Sequence, residues 1–281
     1  MKKIIYLLVS LSFVAFVSCR DDDKDESTNP KGNTQTEYGN GSNNSSSQPA
    51  VIVGTENGHE WVDLGLTSGT KWATCNVGAT KPQNYGNYYA WGETTTKSIY
   101  TWNNYKYGSA YNQLTKYCSK SSYGKDGFVD NKTTLDPEDD AAAANWGGKW
   151  RMPTLEQWTE LRKECYWLWT ESYNGSNTAG WIVYKSKTAF DKGDIVPSRE
   201  TPSSLYSLSD AHIFLPVTGY RASNFTNYAG SEGYFWSSSL DETYDTSNAL
   251  DFDFISDMLY YGSTTRYPRV YGMSVRAVCV L

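Results

Sequence analysis

Hydrophobic and polar positions divide the chain into a short apolar leader, a polar stretch and a long mixed region. The apolar run covers residues 4–17 and follows Lys2 and Lys3. As a helix it would span about 21 Å, which is shorter than a bilayer core of about 30 Å. A basic start before a short apolar run is typical of a secretory signal, so residues 1–18 are predicted to be a signal peptide.

The leader ends in the small residue Ser18, followed by Cys19. This pair resembles the lipobox of bacterial lipoproteins, in which the cysteine is acylated, so Cys19 is the predicted lipidation site. An ordinary signal cleaved nearby is the alternative. Residues 20–26 read RDDDKDE, which resembles the surface-export signal of Bacteroidetes lipoproteins, although such charge runs are usually solvated. We therefore expect a lipid anchor in the outer membrane with exposure at the cell surface. A periplasm-facing anchor is the alternative.

The composition changes near residue 50. Residues 27–50 are rich in Ser, Asn, Gly, Thr and Gln and have almost no apolar side chains. Such a segment cannot bury enough surface to offset the entropy of ordering. Residues 19–50 are therefore predicted to be a flexible, initially acidic tether, and residues 51–281 are predicted to be a single domain.

Two segments carry helix signals. Asp136 is a predicted N-cap with Pro137 at the first helical position, and Gly147 is the predicted end of that helix. Thr154 and Gln157 have the spacing of a capping box at the start of a second helix. Three positions of the second helix follow at helical spacing and should face the core: Trp158, Leu161 and Cys165.

The remaining pattern predicts short strands. Candidates bounded by Gly, Pro, Ser or Asn are residues 181–185, 213–217, 234–238 and 274–281. Residues 250–254 alternate, which places Asp251 and Asp253 on one strand face and the apolar side chains on the other. We expect the two aspartates to face solvent. Two helices among several short strands predict an α+β fold.

Composition limits the classes of function. The chain has 23 tyrosines, 11 tryptophans, a net charge of −6 and only 20% charged residues. This excludes a coiled coil or a fully disordered chain, and the acidic balance argues against nucleic-acid binding. The sequence contains no Cys-x-x-Cys pair, so it offers no support for a redox or zinc site. Besides Cys19, four cysteines could form disulfides in three connectivities or remain buried thiols, and the pairing stays open: Cys75, Cys118, Cys165 and Cys279.

Ordered sequence blocks resemble a known family. They are WVDLGL (61–66), KWATCNVGA (71–79), YAWGE (89–93), DPEDDAA (136–142), NWGG (145–148), WRMPT (150–154), IFLP (213–216), YFWSSS (234–239) and GMSVR (272–276). In this order they resemble the Fibrobacter succinogenes major paralogous domain, common in secreted Bacteroidetes proteins, over about residues 61–281. The resemblance implies a C-type-lectin-like fold, shared with formylglycine-generating enzymes and with variable proteins of diversity-generating retroelements. That fold has two helices, a small twisted antiparallel sheet with long loops, and a closing strand beside the opening one.

The residues favour binding over catalysis. His212 stands beside Ile213 in an apolar strand and is expected to be a core histidine. No Ser-His-Asp order or G-x-S-x-G elbow is present. Formylglycine-generating enzymes need a reactive cysteine pair near the C-terminus, and here only Cys279 lies there. We expect no enzymatic activity, with an oxidase of that type as the alternative.

Asp251 and Asp253 are also the candidate metal ligands, because paired carboxylates suit a hard cation such as calcium. The sugar-binding motifs of calcium lectins, Glu-Pro-Asn and Trp-Asn-Asp, are missing. We therefore expect no cofactor and keep calcium as the alternative. The tryptophans of the ordered blocks are expected to be core anchors rather than sugar platforms: Trp72, Trp91, Trp146, Trp150 and Trp236.

Residues 241–271 combine tyrosines with Asp, Asn and Arg, a mixture typical of adaptable binding surfaces. In the retroelement-diversified proteins this part of the chain carries the variable residues. The predicted ligand-binding residues are Asp241, Tyr244, Asp245, Asn248, Asp257, Tyr260, Tyr261, Arg266 and Tyr267. We expect a surface lipoprotein that binds an extracellular protein or glycan, with a structural or tip component of a surface assembly as the alternative. The ligand, the variability of residues 241–271 and the oligomeric state stay open.

Overall fold

Two helices lie among short, mostly antiparallel strands in the described part of the chain, which is therefore α+β as the sequence pattern predicts. The computed structural model describes residues 54–187, 206–255 and 265–280, all within the unit Ser46–Leu281. The predicted signal peptide, the lipidation site Cys19 and the tether lie outside the described residues. So do three predicted ligand-binding residues: Asp257, Tyr260 and Tyr261.

The helices are α1 (Ala141–Trp146) and α2 (Leu155–Glu164). Short 3-10 turns cover Trp102–Asn104, Lys125–Gly127, Pro137–Asp139 and Tyr173–Gly175. The strands are β1 (Gly54–Glu56), β2 (His59–Asp63), β3 (Lys71–Asn76), β4 (Tyr88–Tyr89), β5 (Cys165–Thr170), β6 (Gly180–Lys185), β7 (His212–Pro216), β8 (Tyr220–Ala222), β9 (Phe225–Asn227), β10 (Glu232–Leu240), β11 (Asn248–Ile255), β12 (Arg266–Pro268), β13 (Met273–Ser274) and β14 (Arg276–Cys279).

The strands form four small sheets, with the orders β1-β2-β3-β14, β12-β11-β10-β13-β4, β5-β6-β7 and β8-β9. The closing strand β14 joins the sheet of the opening strands and pairs antiparallel with β3, with Val278 opposite Trp72. In the five-stranded sheet, β10 pairs antiparallel with β11 over most of its length and places Tyr234 opposite Asp253. This sheet positions the residues described below.

The second helix begins as predicted, whereas the first begins four residues later than predicted. Thr154 and Gln157 form the capping box at the start of α2. Asp136 does not cap α1, because residues 137–139 form a separate 3-10 turn. Asp140 is the N-cap: its Oδ1 accepts the N–H groups of Ala142 at 2.8 Å and Ala143 at 3.0 Å. Its Oδ2 accepts the N–H of Met152 at 2.7 Å.

Tryptophans anchor the interior, as expected from the sequence. Trp72, Trp91 and Trp236 are fully buried, and Trp146 and Trp150 are nearly so. The indole N–H groups of Trp91 and Trp236 donate to backbone carbonyl oxygens at 2.8 and 2.9 Å. A buried indole thereby gains its apolar contacts without leaving an unpaired donor. The core positions predicted on α2 are confirmed for Trp158 and Leu161, which are buried. Cys165 is also buried, but it begins strand β5, because the helix ends at Glu164.

The four cysteines of the described domain are free thiols: Cys75, Cys118, Cys165 and Cys279. All but Cys75 are buried. Burial raises the pKa of the Cys279 thiol to about 11. Within residues 54–187, 206–255 and 265–280, we find no helix with the length and apolar character needed to cross a membrane.

Candidate functional site

Five tyrosines from distant parts of the chain meet at one end of the five-stranded sheet. They are Tyr220, Tyr228, Tyr234, Tyr267 and Tyr271, here called the tyrosine cluster. Tyr220 is central: its ring stacks on that of Tyr271 at 5.4 Å and 5° and meets the edge of Tyr234 at 5.0 Å. Its ring centroid lies 5.4 Å from that of Tyr267 and 6.0 Å from that of Tyr228.

The β8-β9 hairpin brings Tyr220 to this position. Backbone hydrogen bonds in both directions between Arg221 and Gly272, 2.7 and 2.9 Å long, tie β8 to the segment that carries Tyr271. The N–H of Gly219 donates to the carbonyl oxygen of Glu232 at 2.7 Å. Gly219 has a φ of +60°, and a Cβ there would lie 2.2 Å from the carbonyl oxygen of Asn227. Only glycine fits here, where the start of β8 approaches the end of β9 within the hairpin.

The cluster is partly solvent-exposed and uncharged. Tyr228 is 54% exposed, whereas Tyr234 at its base is 4% exposed. The Tyr234 hydroxyl donates to a Glu232 carboxylate oxygen and accepts from the Tyr267 hydroxyl at 3.4 Å. Burial raises the pKa of Tyr267 to about 12, so its phenol stays protonated at neutral pH. The cluster therefore presents neutral aromatic surface with hydroxyl groups. Phe225, on strand β9 of the same hairpin as Tyr220, is 66% exposed.

Several predicted ligand-binding residues shape the turn between β10 and β11. Asp241 is 2% exposed, and its Oδ1 accepts the N–H groups of Thr243 at 3.0 Å and Tyr244 at 3.2 Å. Asp245 accepts the N–H of Ser247 at 2.7 Å. Asn248 begins β11. The Asp241 carboxylate thus accepts hydrogen bonds from the backbone of the turn and does not face solvent, so it is not placed to contact a ligand.

Tyr244 and Arg266 form a second exposed element. Tyr244 is 64% exposed, and the Arg266 guanidinium lies 3.9 Å from its ring centroid. An Arg266 nitrogen lies 3.6 Å from Oδ2 of Asp241. Arg266 and Tyr267 are neighbours on β12, so their side chains point to opposite faces. The described ligand-binding residues predicted from the sequence therefore do not form one surface. Tyr244 and Arg266 form one exposed pair, and Tyr267 belongs to the tyrosine cluster.

The alternation predicted for residues 250–254 is confirmed, but the predicted exposure of the aspartates is wrong. Phe252 and Phe254 pack in the core with α2, where Phe252 stacks on Trp158 at 4.6 Å. Asp251 and Asp253 are on the opposite face and are buried, with 0% and 6% exposure. That face also carries Tyr234 and Tyr267, two large rings of the tyrosine cluster that contact each other. Burial raises the pKa of Asp253 to about 7.

The sequence did not point to Tyr220, Tyr228 and Tyr234. They precede the predicted segment, and neighbouring residues give no signal that they meet Tyr267 and Tyr271. The pairing of β10 with β11 and the docking of the β8-β9 hairpin bring them together. Only that topology could have identified the whole cluster.

Other chemically suggestive groups have structural partners. His212 is 1% exposed, and its Nε2 lies 2.9 Å from the Tyr173 hydroxyl, as expected for a core histidine. The carboxylates of Asp136 and Asp139 lie close together but are bridged by the Lys116 ammonium at 2.6 and 2.5 Å. A lysine thus already occupies the centre of this acidic group.

A cleft of about 410 Å³ lies beside β2 and β3. His59 lines it and stacks on Trp146 with a centroid distance of 4.0 Å. The half-buried Cys75 thiol also lines it, and burial raises the pKa of this thiol. The thiol form is therefore favoured at neutral pH, and the cleft lacks the thiolate that nucleophilic chemistry requires.

Comparisons with known proteins leave the family open. None of the models of known protein families matches the chain, none of the curated proteins is similar to it, and none of the solved structures matches its fold.

Proposed function

We propose that this chain is a non-covalent binding protein that uses the tyrosine cluster to hold an extracellular protein or glycan. The observation that carries the proposal is the ring-to-ring packing of the five tyrosines with one side open to solvent. Tyrosine supplies large, rigid contact area and a hydroxyl for hydrogen bonds at a low cost in conformational entropy. Rings that are already ordered by their neighbours lose still less entropy on binding.

The surroundings of the cluster also suit recognition. Tyr228 of the cluster remains exposed, and so does Phe225 on strand β9 of the hairpin that carries Tyr220. Tyr244, covered on one face by Arg266, is a second exposed ring, and Arg266 points to the face of β12 opposite to that of Tyr267. Aromatic and arginine side chains of this kind dominate the energetics of many interfaces.

The proposal includes the lectin-like fold and the surface location. The joining of β14 to the opening strands supports a C-type-lectin-like arrangement. The Ser18-Cys19 motif and the acidic run after it support a lipid anchor in the outer membrane with exposure at the cell surface. The acyl chains on Cys19 would then attach the protein to the membrane.

We propose no catalytic role. An oxidase of the formylglycine-generating type would need a reactive thiol at Cys279, but this thiol is fully buried and burial raises its pKa to about 11. The binding function therefore ranks above the enzymatic one.

The binding proposal is tested with the full chain on cell surfaces and glycan arrays. Tyr228→Ala and Phe225→Ala should each weaken binding about tenfold, the size of a typical hot-spot loss. Tyr111→Ala is the matched control, because Tyr111 is 57% exposed and lies outside the cluster. Loss of binding after periodate oxidation of the target surface indicates a glycan, and loss after protease treatment indicates a protein. The proposal is refuted if the unaltered chain binds no surface, or if Tyr228→Ala and Phe225→Ala both bind as strongly as Tyr111→Ala.

A further inference from the structure

A cavity of about 320 Å³ lies beside α1, between the 3-10 turn that precedes this helix and the segment that leads to α2. Its volume is within the range of small-molecule sites, about 300–1,000 Å³. It shares no residue with the tyrosine cluster or with the cleft beside β2 and β3. Its lining combines apolar side chains, hydroxyl groups and two cations, which is the composition expected of a site for an amphipathic molecule.

The apolar part of the lining is held in place by the surrounding structure. It includes Leu135, Trp150 and Met152, all of them buried. The Trp150 indole N–H donates to the carbonyl oxygen of Glu56 at 2.7 Å, and the Met152 N–H donates to Oδ2 of Asp140 at 2.7 Å. This wall is therefore ordered before a ligand arrives, which lowers the entropic cost of binding.

The two cations in the lining have no carboxylate partner. Arg151 is half-buried and Lys149 is exposed. In the part of the chain that the structure describes, neither side chain forms an ion pair. Two backbone hydrogen bonds of 3.0 and 2.9 Å between Arg151 and Val278 fix the point from which the Arg151 side chain extends. A half-buried guanidinium without a carboxylate partner favours an anion, because its N–H donors remain for a ligand or for water.

Asp140 also lines the cavity, but its oxygens serve the backbone. Oδ1 accepts the N–H groups of Ala142 and Ala143, and Oδ2 accepts that of Met152. Burial raises the pKa of Asp140, while these three hydrogen bonds and the charge of Arg151 oppose the rise. Asp140 therefore acts as the cap of α1 and does not take the place of an anionic ligand at Arg151.

We propose that this cavity binds a small organic acid whose carboxylate pairs with Arg151 and whose apolar part packs on Trp150 and Met152. A planar guanidinium matches a carboxylate with two parallel hydrogen bonds. Lys149 supplies a second positive charge on the exposed side. Ser238 lines the cavity from β10, is 4% exposed, and its hydroxyl makes no hydrogen bond to another described residue, so it is free to donate to the ligand.

The apolar wall decides between classes of anion. Inorganic phosphate would gain nothing from buried aromatic and thioether side chains, whereas a carboxylate with an apolar body gains from both parts of the lining. This inference does not depend on any ligand at the tyrosine cluster.

The test titrates the full chain with phenylpropionate by isothermal titration calorimetry at pH 7.5. The acid should bind with a Kd below about 1 mM, and its uncharged amide, phenylpropionamide, should bind about tenfold more weakly or worse. Arg151→Gln should weaken binding of the acid by about tenfold, and Lys149→Gln, at an exposed position that folding does not depend on, by about threefold. Lys125→Gln is the matched control: Lys125 is exposed, lies outside the cavity lining and loses the same charge.

A second measurement locates the ligand. In a chain isotopically labelled at the methionine methyl groups, the acid should shift the NMR signal of Met152 and leave that of Met273, which is also buried but does not line the cavity. Met152→Leu assigns the first signal and nearly conserves the side-chain volume.

Three results would overturn the proposal. The acid fails to bind at millimolar concentration, the amide binds as well as the acid, or Arg151→Gln and Lys149→Gln both bind as well as Lys125→Gln. Displacement of the acid by an equal concentration of inorganic phosphate would also overturn it, because the site would then bind any anion without reading the apolar part.

Discussion

Asp253→Asn should change how the stability of the domain depends on pH. In the folded chain, burial raises the pKa of Asp253 to about 7, and the neighbouring Glu232 adds to the effect while Thr265 opposes it. In the unfolded chain the pKa of an aspartate is about 3.9. Between these values the folded state holds a proton that the unfolded state has lost. Stability from this group is therefore complete below about pH 4 and is lost as the pH rises through 7.

The size of the effect follows from the difference between the two pKa values. One pKa unit corresponds to about 1.4 kcal/mol, so ionisation of Asp253 should lower the free energy of unfolding by about 4 kcal/mol between pH 4 and pH 8. Asparagine cannot ionise, so Asp253→Asn should escape this loss. The variant should then be more stable than the unaltered chain at pH 8 and similar to it at pH 4.

Urea unfolding of both chains, followed by tryptophan fluorescence from pH 4 to pH 8 with a chelator present, measures this difference. Comparison of the two chains cancels the titration of groups that do not interact with Asp253. One of these is Asp139: although its burial has the opposite effect, hydrogen bonds from Lys116, Tyr107 and Lys106 lower its pKa. Parallel stability curves for the variant and the unaltered chain would refute the reasoning, because they would show that Asp253 is already ionised or neutralised by the chain itself.

Three further changes test the fold. Asp140→Ala removes the cap of α1 and should cost about 1–2 kcal/mol in urea unfolding, whereas Asp136→Ala should cost less because Asp136 does not cap this helix. Trp158→Ala should cost about 3–5 kcal/mol in the same assay, because the ring is fully buried against Phe252. Alkylation of the native chain, resolved by mass spectrometry, should label Cys75 first. Labelling before unfolding would contradict the burial of three thiols: Cys118, Cys165 and Cys279.

Local signals in the sequence predicted local structure well. The capping box of Thr154 and Gln157 satisfies its own backbone groups, so its effect is contained within one turn. The strand alternation of residues 250–254 is also a local property. The start of α1 was predicted at Asp136 because Asp-Pro is a strong signal for a helix start. Asp140 is the N-cap instead, and its carboxylate also accepts the N–H of Met152, twelve residues further along the chain. A contact of that kind cannot be read from the residues next to Asp140.

Exposure could not be predicted in the same way. A period of two residues assigns Asp251 and Asp253 to one face of β11 but does not say what covers that face. The same face carries Tyr234 from β10 and Tyr267 from β12, whose rings belong to a cluster that also draws on the hairpin β8-β9. The same long-range packing selects Tyr220 and Tyr234 for the candidate site. Tertiary contacts therefore decide both which tyrosines form the cluster and why the aspartates are buried.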